Sequence, residues 1–270
     1  MTTRVLTSDA LRRHGFPHGF STRVGGVSPA PFASLNLGFP QALEQADAAE
    51  RIGGCSVGDL RHNEPARIER NTAVFLDACG LGRCRPARAR QVHGARTVDA
   101  AEAAPGCEAD AIVSVDPDLA AMVRTADCVP ILVACPRAGC VAAIHAGWRG
   151  LVEGVIGSAV DRLVGLGASR DALVASIGPS IGWEVYEIGE EVAARFVAAG
   201  LDAAVRRESA KPRLDCHRAA RDLLLRAGVA ADRVDGEPVC TYRNEREFFS
   251  ARRDGAISGR LGAAIAPRPR

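Results

Sequence analysis

The chain has 270 residues, 47% hydrophobic and 24% charged, an ordinary globular composition that excludes wholesale disorder. Basic side chains number 34 against 32 acidic ones, and aromatic residues make up 4%. That near balance excludes an electrostatic nucleic-acid binder, and the few rings exclude a stacking platform for single strands. Lys211 is the sole lysine, and the arginine bias reads as codon usage of a GC-rich genome.

The N-terminal segment has no unbroken apolar core or small-residue cleavage pattern, and no apolar run reaches the roughly 18 residues of a membrane helix. The expectation is a cytoplasmic protein without membrane partners. Its nine cysteines, odd in number and without a C-x-x-C pair, read as free thiols, buried small hydrophobes or metal ligands.

In chain order, the polar stretch of about 40–65 reads as a loop, with a short helix over 42–51. Short apolar runs at 111–115, 119–123, 131–135, 140–144 and 173–177 predict buried strands. The spacing over 151–166 predicts a helix with Leu151, Val152, Val155, Ile156, Ala159 and Leu163 on one face. A second helix is expected over 189–199, burying Val192, Phe196 and Val197, and a third over 216–226, capped by Asp215 and stopped before Gly228. The tail 266–270 is expected to fray. Clustered strands mixed with helices, with no repeat or linker, predict one α+β domain over residues 1–270, in a layered mixed-sheet arrangement with helices outside.

Three segments place a metal-capable side chain beside turn residues: Gln91-Val92-His93-Gly94, Thr125-Ala126-Asp127-Cys128 and His145-Ala146-Gly147-Trp148-Arg149-Gly150. Two imidazoles and a thiolate form a three-ligand zinc set, leaving the fourth position for water or substrate. The alternatives are a core cysteine with two backbone-bonded histidines, or a Cys128–His145 nucleophile pair. Asp127 is a candidate for proton transfer or for orienting a ligand, and equally a turn residue. Arg149, at the start of the helix expected over 151–166, suits an anion such as phosphate. The paired glycines of Ser21-Thr22-Arg23-Val24-Gly25-Gly26 lack a phosphate-loop lysine. Missing H-E-x-x-H, deaminase-type H-x-E and G-x-G-x-x-G patterns argue against zincins, cytidine deaminases and nicotinamide enzymes. Six histidines are too few for a multicopper cluster, and a lone blue-copper site would need Met122 as its axial ligand.

Phe20-Ser21-Thr22-Arg23, Ser34-Leu35-Asn36-Leu37-Gly38 and the three segments above together resemble the YfiH family, whose older labels are laccase domain and polyphenol oxidase. Further matches are Ile177-Gly178-Pro179, Tyr186-Glu187-Ile188-Gly189, Cys240-Thr241-Tyr242 and the block from Phe248 to Arg253, so the resemblance spans Gly19 to Gly259. It implies a zinc-dependent purine nucleoside phosphorylase that splits adenosine, inosine, guanosine or methylthioadenosine with phosphate as co-substrate, and that also deaminates adenosine. It implies His93, Cys128 and His145 as zinc ligands, and a fold shared with bacterial deamidating toxins that use a Cys–His pair. The catalytic candidates are Asp127, Cys128 and His145; the substrate and phosphate candidates are Arg23, Asn36, Gln91, Arg149 and Arg253. The rival function is an amide hydrolase editing a nucleotide-linked peptidoglycan precursor, followed by a copper oxidase or a non-catalytic nucleotide-binding regulator; the protein is a monomer or a homodimer. The chain departs from the family pattern at 39–70, which intervene before a helix expected near Asn71, and at Ser180, Trp183 and Glu184, where the family often carries cysteines.

Overall fold

A computed structural model describes residues 2–40, 43, 46–52, 54–208 and 210–269. The elements in order are β1 (Val5–Leu6), α1 (Asp9–Arg13), β2 (His18–Ser21), β3 (Arg51–Ile52), β4 (Cys55–Ser56), α2 (Val57–Ala78), β5 (Arg85–Ala87), β6 (Thr97–Asp99), β7 (Ala111–Ser114), β8 (Leu119–Thr125), β9 (Val129–Ala134) and β10 (Val141–Ala146). There follow α3 (Trp148–Glu153), α4 (Val155–Gly165), β11 (Val174–Ile177), α5 (Glu190–Ala198), β12 (Val205–Arg206), β13 (Arg213–Leu214), α6 (Cys216–Arg226), β14 (Val234–Asp235), α7 (Ala251–Asp254) and β15 (Leu261–Ile265). All five predicted strands form, as β7 to β11.

Two mixed sheets carry the structure. One is ordered β1-β2-β15-β8-β5, the other β14-β11-β9-β10-β7-β6. Period-2 alternation decides which side chains meet. Ala121 and Val123 of β8 face Leu132 and Ala134 of β9, with Val141 and Ala143 of β10, between the sheets. On the outer face of the second sheet, Val129, Ile131, Val133, Ala142 and Ile144 pack under Leu151, Val155, Ile156, Ala159 and Leu163. On the outer face of the first, Ala120, Met122 and Ala264 pack under Phe75 and Leu76 of α2. The layers therefore run helix, sheet, sheet, helices, the α+β arrangement expected.

The departures have local causes. The helix expected over 151–166 is two helices, because Gly154 takes φ +92° between α3 and α4 and ends the first in a left-handed cap. The 189–199 expectation holds as α5, except that Val197 is 49% exposed. The 216–226 expectation holds with its cap: Asp215 accepts from Arg218 N–H at 2.9 Å.

The polar stretch is not a loop throughout, since α2 begins at Val57 and continues through Pro65. Of the helix expected over 42–51, Ala42, Glu44 and Gln45 lie outside the described residues, while Arg51 belongs to the short β3–β4 pair. The tail does not fray through Arg268, and Arg270 lies outside the described residues. Ala266 is buried, its N–H bonds Pro17 O, and Arg268 lies 5.2 Å over the Phe16 ring while donating to Pro136 O. Among the described residues, no helix is long and apolar enough to cross a membrane.

Candidate metal and active site

His93, Cys128 and His145 converge where the two sheets part. His145 follows Val141 and Ala143 on the inner face of β10. Cys128 lies in the three-residue connection that carries the chain from β8 in one sheet to β9 in the other. His93 comes from the loop between β5 and β6. Their ligand atoms lie within 4.8 Å of one another, the one such His/Cys/carboxylate group among the described residues. Cys128 Sγ is 3.9 Å from His93 Nδ1, and the two imidazoles meet edge to face at 4.8 Å.

Asp110, which the sequence reading missed, builds much of this geometry. It is buried at the mouth of β7. Its Oδ1 accepts from His145 Nδ1 at 2.7 Å and His93 N–H at 3.0 Å, and its Oδ2 from Gly94 N–H at 2.8 Å and Val92 N–H at 3.2 Å. One carboxylate thus fixes the His145 tautomer, turns its Nε2 toward the other two ligands, and holds the His93 loop, where His93 sits at φ +61°. A signal existed in the sequence, because a ligand imidazole usually donates its other N–H to a carboxylate; nothing in the spacing singled out Asp110.

The trio suits a metal ion. Two atoms on one tetrahedral zinc lie roughly 3.3–3.6 Å apart, given bonds of about 2.0–2.3 Å, so the 3.9 Å pair needs a small contraction. Gly147 makes room, since a Cβ there would stand 2.6 Å from His93 Nδ1 and 3.3 Å from Cys128 Sγ. Two imidazoles and a thiolate are a zinc-type donor set with an open fourth position. Met122 packs under α2 on the outer face of the first sheet, so the blue-copper axial ligand is not supplied from there.

Without a metal the trio is strongly polarised. Burial opposes the Cys128 thiolate, but the His145 charge and the hydrogen bonds of both imidazoles bring its pKa down to about 6. Burial also opposes the His145 imidazolium, which Cys128 and Asp110 nevertheless hold up at about 9. Asp110 stays below the usual carboxylate range: burial raises it, and the His145 bond and loop N–H groups outweigh that. Elsewhere burial alone drives Cys79 to about 12, and with Cys135 beside it Cys140 to about 11. Iodoacetamide should therefore label Cys128 ahead of those thiols in metal-free protein, with its rate reaching half its plateau near pH 6. Peptide mass spectrometry checks this, and a midpoint near the ordinary thiol value would refute it.

His93 and Cys128 each line two cavities. A cleft of about 830 Å³ is walled by Arg88, Arg90, Arg124 and Arg260, opposed by Glu69. A cavity of about 310 Å³ lies on the α3–α6 side, lined by Trp148, Tyr186, Ile181 and Cys216.

The other expected residues are dispersed. Gln91 lines the cleft, but its amide grips the β8 backbone, donating to Arg124 O at 2.6 Å and accepting from Arg124 N–H at 2.8 Å. Arg149 is exposed at the small cavity, 4.5 Å over the Trp148 ring. Asn36 does not reach the trio. It is fully buried, donating to Glu64 and accepting from Arg260 N–H, so its amide braces the fold. Arg23 and Arg253 line a separate cleft and donate to backbone carbonyls, Arg23 to Ala33 O and Glu245 O, Arg253 to Thr241 O, Tyr242 O and Phe248 O.

Asp127, at φ +85°, accepts from Thr241 Oγ1 at 2.6 Å, Ser250 Oγ at 3.0 Å and Arg252 N–H at 2.7 Å. Those three donors tie the Cys128 turn to α7, the turn role the sequence offered beside proton transfer. Asp127→Ala would leave three donors unpaired, and should cost roughly 2–4 kcal/mol of stability in chemical denaturation. A loss below about 1 kcal/mol would contradict this bracing role.

The site and fold define a class. Residues 17–268 match the family model described as multi-copper polyphenol oxidoreductase laccase, and the chain belongs to this family. Its relatives within the family include YfiH proteins. The chain is 36% identical over 249 residues to an Escherichia coli protein named purine nucleoside phosphorylase YfiH, covering 91% of each. A Deinococcus radiodurans protein named purine nucleoside phosphorylase is 40% identical over 250 residues, covering 92% of this chain and 88% of the relative. The crystal structure of a Neisseria meningitidis protein superposes with a TM-score of 0.79 at 30% identity, covering 100% of both chains.

Proposed function

We propose that the chain is a zinc-dependent purine nucleoside phosphorylase with adenosine deamination as a second activity. The observation that carries this reading is the arginine-walled cleft running up to His93, Cys128 and His145, in a chain 40% identical to a protein named purine nucleoside phosphorylase. The reading takes adenosine, inosine, guanosine and methylthioadenosine as substrates and places the reaction in the cytoplasm.

Arg88, Arg90, Arg124 and Arg260 draw phosphate into the cleft and orient it by charge-assisted hydrogen bonds. A phosphate oxygen then bonds to the anomeric carbon as the glycosidic C–N bond breaks. The electron pair leaves with the base nitrogen, which takes the proton of hydrogen phosphate, giving ribose 1-phosphate and free purine. Zinc held by His93, Cys128 and His145 would supply Lewis-acid stabilisation of developing negative charge. Asp110 keeps His145 in the ligating tautomer throughout.

Adenosine incubated with metal-replete protein should give adenine only when phosphate is present, and inosine whether or not phosphate is present, resolved by chromatography. Equal turnover after zinc removal, or no product at all, would overturn the reading.

A second reading draws on a specific feature. Cys128, His145 and Asp110 form an aligned thiol–imidazole–carboxylate set with the thiol poised at about 6, suited to amide hydrolysis of a nucleotide-linked cell-wall precursor. Activity on such an amide that survives chelation would favour it over the phosphorylase.

A further inference from the structure

Building on the phosphorylase reading, we propose that the two cavities divide the substrate: the smaller one binds the purine base between Tyr186 and Trp148, and the arginine-walled cleft binds phosphate. Both cavities share His93, Ala126, Cys128 and Ala251, so two members of the trio, His93 and Cys128, stand on their common wall, while His145 lines the cleft alone. Beyond that wall they diverge. The cleft is finished by Arg124 of β8, Glu69 of α2 and Arg260, and the small cavity by Trp148 of α3, Cys216 of α6 and Tyr186. Displacement at an anomeric carbon needs the nucleophile and the leaving base on different sides of that carbon, and a sugar seated at the trio meets this condition.

The chemistry of the linings agrees. The cleft is rich in cations and lacks an aromatic side chain near the trio apart from Phe39 and the histidines. The small cavity, about 310 Å³, is at the lower end of the range for small-molecule sites. Its Trp148 and Tyr186 are half-buried against the core beneath the second sheet, which fixes the rings before any ligand arrives. Both rings already bear planar cations, Arg149 at 4.5 Å and Arg195 at 5.3 Å over Trp148, and Arg252 at 4.8 Å over Tyr186. All three arginines are exposed and can slide outward or stack on a purine in turn. The base site would thus be selective for flat aromatic ligands and indifferent to the substituent that distinguishes one purine from another. This predicts similar handling of 6-amino and 6-oxo purines.

Trp148 and Trp183 are the only tryptophans, so Trp183→Phe isolates the Trp148 emission. In the metal-replete Trp183→Phe protein, free adenine and hypoxanthine should both quench that emission with similar midpoints. Adding Tyr186→Ala should weaken this binding about tenfold, since base–aromatic stacking is of that order, and Tyr186→Phe should restore it. In steady-state assays Tyr186→Ala should raise the KM for nucleoside about tenfold and leave that for phosphate within about twofold; Arg260→Gln should do the reverse. Circular dichroism confirms that each variant folds. Quenching without Tyr186 dependence, or a phosphate KM that moves with Tyr186→Ala, would overturn the assignment. If adenine binds in the Tyr186-dependent way but no phosphorolysis occurs, the base site stands and the phosphorylase reading falls. If phosphorolysis proceeds and adenine leaves Trp148 emission unchanged, the base site falls and the phosphorylase reading stands.

Discussion

Alanine in place of His93 should remove bound metal and slow phosphorolysis roughly a thousandfold, the scale expected when several kcal/mol of Lewis-acid stabilisation are lost. Cys128→Ala should do the same. His93 is the more informative of the two because it distinguishes the two chemistries the trio can perform. Cys128 and His145 belong to both the three-ligand centre and the thiol–imidazole pair, so losing either is fatal to both. His93 is required for the metal centre but peripheral to the pair, where Asp110 still aligns His145 beside the thiol. The His93 side chain is also exposed, so its truncation leaves no cavity in the core and the fold should persist. Metal content by mass spectrometry and adenosine turnover would be measured on the same preparation. Full turnover in a metal-free His93→Ala protein would overturn the zinc reading.

The strands were legible where apolar runs are short, β-branched and bounded by turn residues, as at β9 and β10. Of the helix α2, only the stretch near Asn71 was expected, and by resemblance alone. Its buried positions, Val57, Leu60, Glu64, Ile68, Asn71, Thr72, Phe75 and Leu76, keep helical spacing. Three of them are polar: Glu64 accepts from Ser28 and Asn36 and Asn71 holds the backbone at Ser34 and Asn36 in a buried network, while Thr72 donates to Ile68 O of its own helix. A period read from hydrophobicity alone cannot register a face whose core contacts are hydrogen bonds. The strand β15 escaped for a related reason, since Leu261-Gly262-Ala263-Ala264-Ile265 is composed largely of small residues with weak strand preference; a Cβ on Gly262 would stand 2.6 Å from Leu37 and 3.1–3.2 Å from Met122 and Phe75, on the face under α2.

At the site, the residue types and turn positions of His93, Cys128 and His145 were legible, because ligands tend to stand where strands end. What the sequence hid was which carboxylate serves them. Asp127 adjoins a ligand in sequence yet braces a turn, whereas Asp110, 35 residues from His145, bonds it directly. Proximity along the chain therefore pointed to a different carboxylate from the one that proximity in space places against His145. The arginines behaved likewise: Arg23 and Arg253 sit in recognisable motifs but line a separate cleft, and the cleft beside the trio is walled by arginines outside those motifs.

Asp110→Asn puts that spatial assignment to a quantitative test. The amide keeps the carboxylate's shape but loses the charge, and its nitrogen cannot accept either from His145 Nδ1–H and His93 N–H or from the Gly94 and Val92 N–H groups. Zinc affinity and phosphorolysis should each fall about 10- to 100-fold, the range for losing a carboxylate behind a ligand imidazole. A second readout follows from the electrostatics. Asp110 helps hold His145 protonated, and the His145 imidazolium in turn helps hold Cys128 deprotonated. Removing the Asp110 charge must lower the His145 pKa from about 9 and raise that of Cys128 from about 6. The thiolate, present above its pKa and lost below it, would then appear only at higher pH. The alkylation midpoint of metal-free protein should move upward in Asp110→Asn and stay in place in Asp127→Asn, whose carboxylate faces Thr241 and Ser250. A midpoint unchanged by Asp110→Asn, or displaced further by Asp127→Asn, would show that the wrong aspartate has been placed behind the histidine.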